Sequence, residues 1–317
     1  MANIEFGRSS RKIEDRLRQA LTSPSIPVEK QPKFIRRIES PIVEELDHSQ
    51  YSGVVVFGSA RYQEGDKTYE HARQLGKEIV LQIPQIDRII TGGGPGIMTA
   101  VLQGAKEARE ELLAKGIHTH VQTFGLRIQT PFEETESPWI DEGNLYTYEK
   151  FGPRLEDFRL MATLGVFYEP GGFGTLDELG DRIQHKQFNL LYPYARTIFR
   201  KDFWEPMLEW MKRAMLELPR WRGETMLISP KDLEGLILEN DIHAIVGHFK
   251  ESYNEWKVDQ EQKALERATA GLESHIHPTP LFARRVHDIT EAHYDNPLAH
   301  PKWPPMISHP RDDNKPM

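Results

Sequence analysis

The stretch "RIITGGGPGIMTA" (residues 88–100) sets a short β-branched run, three consecutive glycines, a proline and a fourth glycine directly ahead of a helical pattern. A strand that ends in glycine and turns at once into a helix is the connection a parallel α/β sheet uses at its strand tips. The same order of residues recurs on both sides. "VVVFGSAR" (54–61) ends in Gly58 and Ser59, and "VFYEPGGFGTLDEL" (166–179) carries Gly171, Gly172, Gly174 and Thr175.

Working outward, runs at Gly53–Phe57, Arg88–Thr91, His120–Gly125, Asn144–Thr147, Val166–Tyr168 and Arg196–Arg200 read as strands. Amphipathic runs at Lys67–Gln82, Gly96–Lys115, Glu149–Thr163 and Thr175–Leu190 read as helices between them. That alternation predicts a Rossmann-like, doubly wound α/β fold with a mainly parallel sheet and flanking helices. Residues 51–201 form the expected Rossmann-like core. Residues 1–50 read as a polar, proline-spotted arm with short helical patterns around Arg8–Leu21 and Phe34–Leu46. Residues 202–275 read as a mainly helical extension packed on the core, with a strand candidate at "ETMLIS" (224–229) and a long helix from Pro230 to about Leu272. Residues 276–317, rich in proline and histidine, read as a flexible tail. Trp204, Trp210 and Trp221 are expected to pack within the extension.

Composition narrows the function. Forty basic residues against 48 acidic ones give a formal charge of −8 in 317 residues, the wrong sign for a protein that holds nucleic acid by neutralising phosphates. There is no cysteine, so disulfides, thiolate metal sites and thiol catalysis are excluded. The opening "MANIEFGRSSRKIEDRLRQ" is too charged for a signal peptide, and no apolar run reaches the roughly 18 residues needed to span a bilayer. The expectation is a soluble, cytoplasmic protein with neither a membrane nor a nucleic acid as partner. His71, His118, His120 and His185 lack metal-ligand spacing and read as locally hydrogen-bonded side chains, so neither metal nor cofactor is expected.

The glycine turns carry the chemistry. In an open parallel sheet, ligands sit beyond the carboxyl ends of the strands. Gly92, Gly93, Gly94 and Gly96 in one turn, and Gly171, Gly172, Gly174 and Thr175 in another, each precede a helix start. Free backbone N–H groups and the positive helix end then point outward together, an arrangement that suits a phosphate. Each dipole contact is worth about 0.3–1 kcal/mol when exposed. Gly58 and Ser59 stand at a third strand tip; Ser59 either binds phosphate or ribose or caps the next helix. The plainer alternative for any one turn is a tight connection with nothing bound. The GxGxxG spacing is missing, "VQTFGL" (121–126) offers no ribose-binding acid, and no GxxxxGK[ST] occurs. Glu178 lies just inside the helix after the second turn. It serves either as a carboxylate beside a bound sugar or as half of a capping box with Thr175 in "TLDE".

"GGGPGIMTA" (92–100) and "PGGFGTLDE" (170–178), preceded by "VVVFGSAR" and separated by "GLRIQTPFEETESPW" (125–139), resemble the Lonely Guy family over about residues 52–200. Members of that family are cytokinin riboside 5′-monophosphate phosphoribohydrolases and related nucleotide 5′-monophosphate nucleosidases. The resemblance implies a Rossmann-like homodimer that cleaves the N-glycosidic bond of a nucleoside monophosphate, freeing base and ribose 5-phosphate. It implies further that the two glycine loops hold the phosphate and that Glu178 acts at the ribose. An arginine on the preceding helix partners that glutamate in the family. Here Leu155 stands at the usual offset, Arg154 one residue before it and Arg159 one turn later on Leu155's face, and both arginines remain candidates. Leu102, Gln103, Arg127 and Gln129 depart from the family's usual residues, so the base is open between AMP-like and cytokinin types. The alternative is a non-catalytic carrier of a nucleotide or of molybdenum cofactor, whose carrier proteins look similar in their glycine loops. The family's older lysine decarboxylase label would ordinarily need pyridoxal phosphate on a lysine, and no lysine lies in the glycine loops.

Overall fold

A computed structural model of the chain describes residues 36–38, 47–129 and 135–269. The elements run β1 (Arg36–Ile38), β2 (Gly53–Phe57), α1 (Lys67–Gln82), β3 (Arg88–Thr91), α2 (Ile97–Ala114), β4 (Gln122–Ile128), β5 (Leu145–Tyr148), α3 (Phe151–Met161), β6 (Gly165–Tyr168), α4 (Phe173–Gln187), β7 (Arg196–Arg200), α5 (Lys201–Met211), α6 (Leu218–Trp221), α7 (Pro230–Leu233), β8 (Leu236–Glu239) and α8 (Ile242–Thr269), with a π-helical stretch at Lys212–Glu217 between α5 and α6.

The strands make one eight-stranded sheet in the order β1-β5-β4-β3-β2-β6-β7-β8. Every pairing is parallel. The chain steps outward from β2 through β3 and β4 to β5, then crosses back to lay β6 on the other side of β2. The sheet is therefore doubly wound, with its switch point between β2 and β6. Central strands such as "GVVVF" and "GVFY" are buried along their whole length, as strands covered on both faces must be. On one face Phe57, Tyr168 and Phe199 stack across three adjacent strand tips, with ring centroids 5.3 and 5.1 Å apart. Phe158 and Met161 of α3, Leu179 of α4 and Trp204 of α5 close over that row. On the other face α1 and α2 cross where Gly76 and Gly104 bring the helices into backbone contact. The helix α8 then lies beside α1, with Ile245, Val246 and Phe249 fully buried.

Four expectations change. Within the stretch read as helical around Phe34–Leu46, Arg36–Ile38 is a strand paired in parallel with β5; backbone partners on an open sheet edge outweigh a short helical pattern. The remainder of that pattern, and all of Arg8–Leu21, lie outside the described residues. The strand candidate "ETMLIS" is instead irregular: the Leu227 N–H donates back to the Met215 carbonyl at 2.8 Å, and Ser229 with Asp232 boxes the start of α7. The extension's strand comes later, as "LILE" in β8, where Gly235 at φ +72 breaks the helix expected from Pro230 onward. Trp204 packs at 2% exposure, whereas Trp210 and Trp221 stand at 58% and 82%. No described helix is long and apolar enough to cross a membrane.

Candidate active site

The turns after β2 and β6 meet at the switch point. The Ser59 N–H donates to the Pro170 carbonyl at 3.0 Å, and the Ser59 carbonyl accepts from the Ile97 N–H at 3.1 Å. The first turn of α2 is thereby tied to both loops. Gly58 sits where a Cβ would lie 3.0 Å from that of Glu169.

The two glycine loops differ in openness. Gly92, Gly93 and Gly94 are buried. Gly93 takes φ +73 and faces Gly125, and Gly96 takes φ +69 against the Ser59 carbonyl, conformations and approaches that a Cβ would obstruct. A Cβ on Gly92 would fall 2.8 Å from the Arg154 guanidinium and 2.7 Å from the Met98 sulfur. The loop after β6 is outward-facing: Gly172, Phe173 and Gly174 are exposed, and nothing lies within 4 Å of a Cβ built on Gly172 or Gly174. Thr175 is buried against Gly171, which has no Cβ to block it. The helix α4 begins at Phe173 with Gly172 as its N-cap, and no side chain caps its leading N–H groups.

Glu178 falls in the second turn of α4, one turn deeper than a capping residue, and the capping-box alternative with Thr175 does not form. Its carboxylate meets Arg154 instead, Oε1 to Nη1 at 3.1 Å, with both side chains 9% exposed. Arg154 is held from several sides. Its Nε donates to the Leu126 carbonyl at 2.7 Å, its guanidinium lies 4.7 Å from the Phe158 ring centre, and Gly92 makes room for its far end. Tyr168 donates its hydroxyl to the Glu178 backbone carbonyl at 3.1 Å. Burial pushes the Glu178 carboxyl up to about 7, and the neighbouring Arg154 charge works in the opposite direction.

Arg159, the other candidate, pairs with Asp181 at 2.6 Å. It lines the same small pocket as Glu178, but its charge is already matched. Helical facing from Leu155 put Arg159 on the expected face and Arg154 off it; the packing of α3 against α4 brings Arg154, not Arg159, to the glutamate.

No protein-family model and no curated protein matches the chain. Solved structures similar to it include a Moco carrier protein from Chlamydomonas reinhardtii, at 15% identity over 65% of this chain and 99% of that one, TM-score 0.38. A second structure of the Chlamydomonas molybdenum cofactor carrier gives 14% identity over 64% and 99%, TM-score 0.41. TM1055, a structural genomics target, gives 15% over 63% and 98%, TM-score 0.40.

A second buried cluster, on the opposite face of the sheet, left little trace in the sequence. Glu169, fully buried, meets His71 Nδ1 at 2.6 Å and Arg200 Nη1 at 3.0 Å, while His71 Nε2 lies 3.3 Å from the Asn240 carbonyl. Side chains alternate along a strand, so Glu169 and Arg200 turn away from the face that Tyr168 and Phe199 occupy. An acid directly before "PGG" was the available signal. Its partners come from α1 and β7, far along the chain. Of the histidines expected to bond locally, His185 does so, to the Asp181 carbonyl at 2.8 Å, whereas His120 reaches Asp87 at 2.8 Å and His71 is drawn into this buried cluster, both through partners distant in the chain.

Proposed function

We propose that this chain hydrolyses the N-glycosidic bond of a nucleoside 5′-monophosphate, AMP-like or cytokinin-type, releasing free base and ribose 5-phosphate. One observation carries the reading: a buried carboxylate with its arginine, Glu178 and Arg154, stands in the second turn of the helix whose open N-terminus follows the glycine loop at the switch point. The N–H groups around Gly172–Thr175 and the α4 dipole suit the 5′-phosphate. A sugar reaching inward from that phosphate comes toward Glu178. As the C1′–N bond breaks, the base nitrogen keeps the bonding pair and takes up a proton from solvent, which the proton passed from the attacking water to Glu178 then replaces. The oxocarbenium-like sugar draws on the Glu178 negative charge, and the same carboxylate accepts a proton as water bonds to C1′. Arg154 holds the carboxylate in place. The resemblance to the Lonely Guy motifs at residues 92–100 and 170–178 points to the same chemistry.

The carrier alternative has one observation in its favour: Glu178 is already paired and is 8% exposed, so a ligand held at the loop need not meet it. A panel of nucleoside monophosphates assayed for free base separates the two. Hydrolysis predicts release by the wild type and a loss of about 100-fold or more in Glu178→Gln. Ligand binding with no base released from any member of the panel would sink the enzyme reading.

A further inference from the structure

Glu169 is the residue directly before Pro170, Gly171 and Gly172, and it is fully buried. A carboxylate out of water is costly unless it is paired. Both of its oxygens are matched: Oε1 by His71 Nδ1 at 2.6 Å and Oε2 by Arg200 Nη1 at 3.0 Å. A carboxylate only accepts, so the His71 Nδ1 donates. The two partners are themselves braced. His71 Nε2 lies 3.3 Å from the Asn240 carbonyl, and the Asn240 side-chain oxygen accepts from the Asp202 N–H at 3.1 Å. The Asp202 carboxylate lies 3.1 Å from Arg200 Nε, an ion-pair contact without the alignment of a hydrogen bond. The contacts close a ring that joins α1 to the carboxyl ends of β6, β7 and β8.

The ring bears on the loop through the backbone. The Glu169 N–H donates to the Phe57 carbonyl at 2.9 Å, its carbonyl accepts from Trp204 Nε1 at 3.2 Å, and the next carbonyl, that of Pro170, accepts from the Ser59 N–H. Two glycines follow at once, with the backbone freedom of their type, and no side chain caps the helix they lead into. Glu169 is therefore the last polar side chain before the glycines, and its contacts fix where their N–H groups start. We propose that Glu169 is a positioning residue: held by His71 and Arg200, it sets the placement of the Gly172–Thr175 N–H groups on which a phosphate rests. This rests on the phosphate site proposed above, and it holds for a hydrolase and for a carrier alike. Stability alone gives no reason for an acid here, because apolar replacements of a buried ion pair are often neutral or stabilising. Hydrogen bonds add direction, which apolar packing does not.

Binding of ribose 5-phosphate, which carries the phosphate and has no base to lose, tests the assignment by calorimetry, with melting followed in parallel. Glu169→Gln is expected to raise its Kd about tenfold or more. His71→Leu, at a side chain 14% exposed and so less critical to folding, is expected to do the same. His71→Gln, whose amide can still donate to Glu169, is expected to stay within about threefold of the wild type. Phe249→Ala, in the packing of α8 and outside the ring, is expected to melt lower with its Kd unchanged, which shows what lost stability alone does. Three results would overturn the proposal: Glu169→Gln and His71→Leu that melt lower yet bind like the wild type, His71→Gln that binds as weakly as His71→Leu, or the same loss of affinity in Phe249→Ala. A wild type that binds ribose 5-phosphate but frees no base from AMP would sink the hydrolase reading alone, because the Kd ratios still decide what Glu169 does. A wild type that binds neither ligand would overturn both.

Discussion

On the hydrolysis proposed above, Glu178 should give activity and stability opposite dependences on pH. Burial raises its folded value from 4.5 to about 7, with Arg154 at 3.1 Å limiting the rise. A carboxyl that holds its proton more tightly in the folded chain makes the folded state bind more protons than the unfolded one. Its contribution to stability is present below about 4.5, declines as pH climbs through that window, and levels off above about 7. Hydrolysis needs the ionised form, so kcat/KM should rise across the upper part of the same window and reach a plateau above it. Glu178→Gln should remove both trends: the stability of wild type relative to the variant falls with pH, and the rising limb of activity disappears. Rate profiles and melting curves on the two proteins between about pH 5 and pH 9 check this. A flat wild-type rate profile would show that Glu178 does not limit the reaction.

Arg154 can reach Glu178 only because an element from elsewhere in the sheet leaves it space. Its guanidinium lies over Gly92, where a Cβ would stand 2.8 Å away, and the other close atom is the mobile end of Met98. Gly92→Ala should therefore displace two flexible side-chain ends rather than backbone. The fold should survive with a melting temperature lowered by no more than a few degrees, while kcat falls about tenfold or more as the ion pair is pushed apart. Loss of folding, or full activity, would each count against this geometry. The sequence carried the element pattern well: β2, α1, β3 and β7 begin and end where their periodicity and their glycine or proline boundaries placed them. It also pointed to the glycine loops and to Glu178, because residue types and spacing are local properties. It left Arg154 and Arg159 undistinguished, because the choice depends on how α3 packs against α4 and β4. It missed β8 because "LILE" reads equally as helix until β7 supplies a pairing edge. It missed the Glu169 cluster because His71 and Arg200 reach that carboxylate from α1 and β7.

At the scale of the molecule, the residues proposed for function and those that hold the sheet together are distributed differently along the chain. The motifs of the site end before residue 200, yet β8 extends the sheet beyond β7 and α8 crosses to the opposite face to cover α1. Along α8, Ile245, Val246 and Phe249 are fully buried, and Trp256 donates to the Ser49 carbonyl at 3.0 Å, tying the helix to the turn ahead of β2. Arg196 at the start of β7 adds an ion pair to Glu255 at 2.6 Å. Burying three such side chains contributes about 5–9 kcal/mol at roughly 1.5–3 kcal/mol each, comparable to the whole net stability of an ordinary domain. A chain ending at Asp241 should therefore fail to melt cooperatively although it keeps every residue of the proposed site. Phe249→Ala, costing about 3–5 kcal/mol, should fold with a clearly lowered melting temperature and near-normal kcat. Calorimetry on both variants, with base release measured on Phe249→Ala, checks the argument. A cooperative wild-type-like melt from the shortened chain would show that the sheet carries itself without α8.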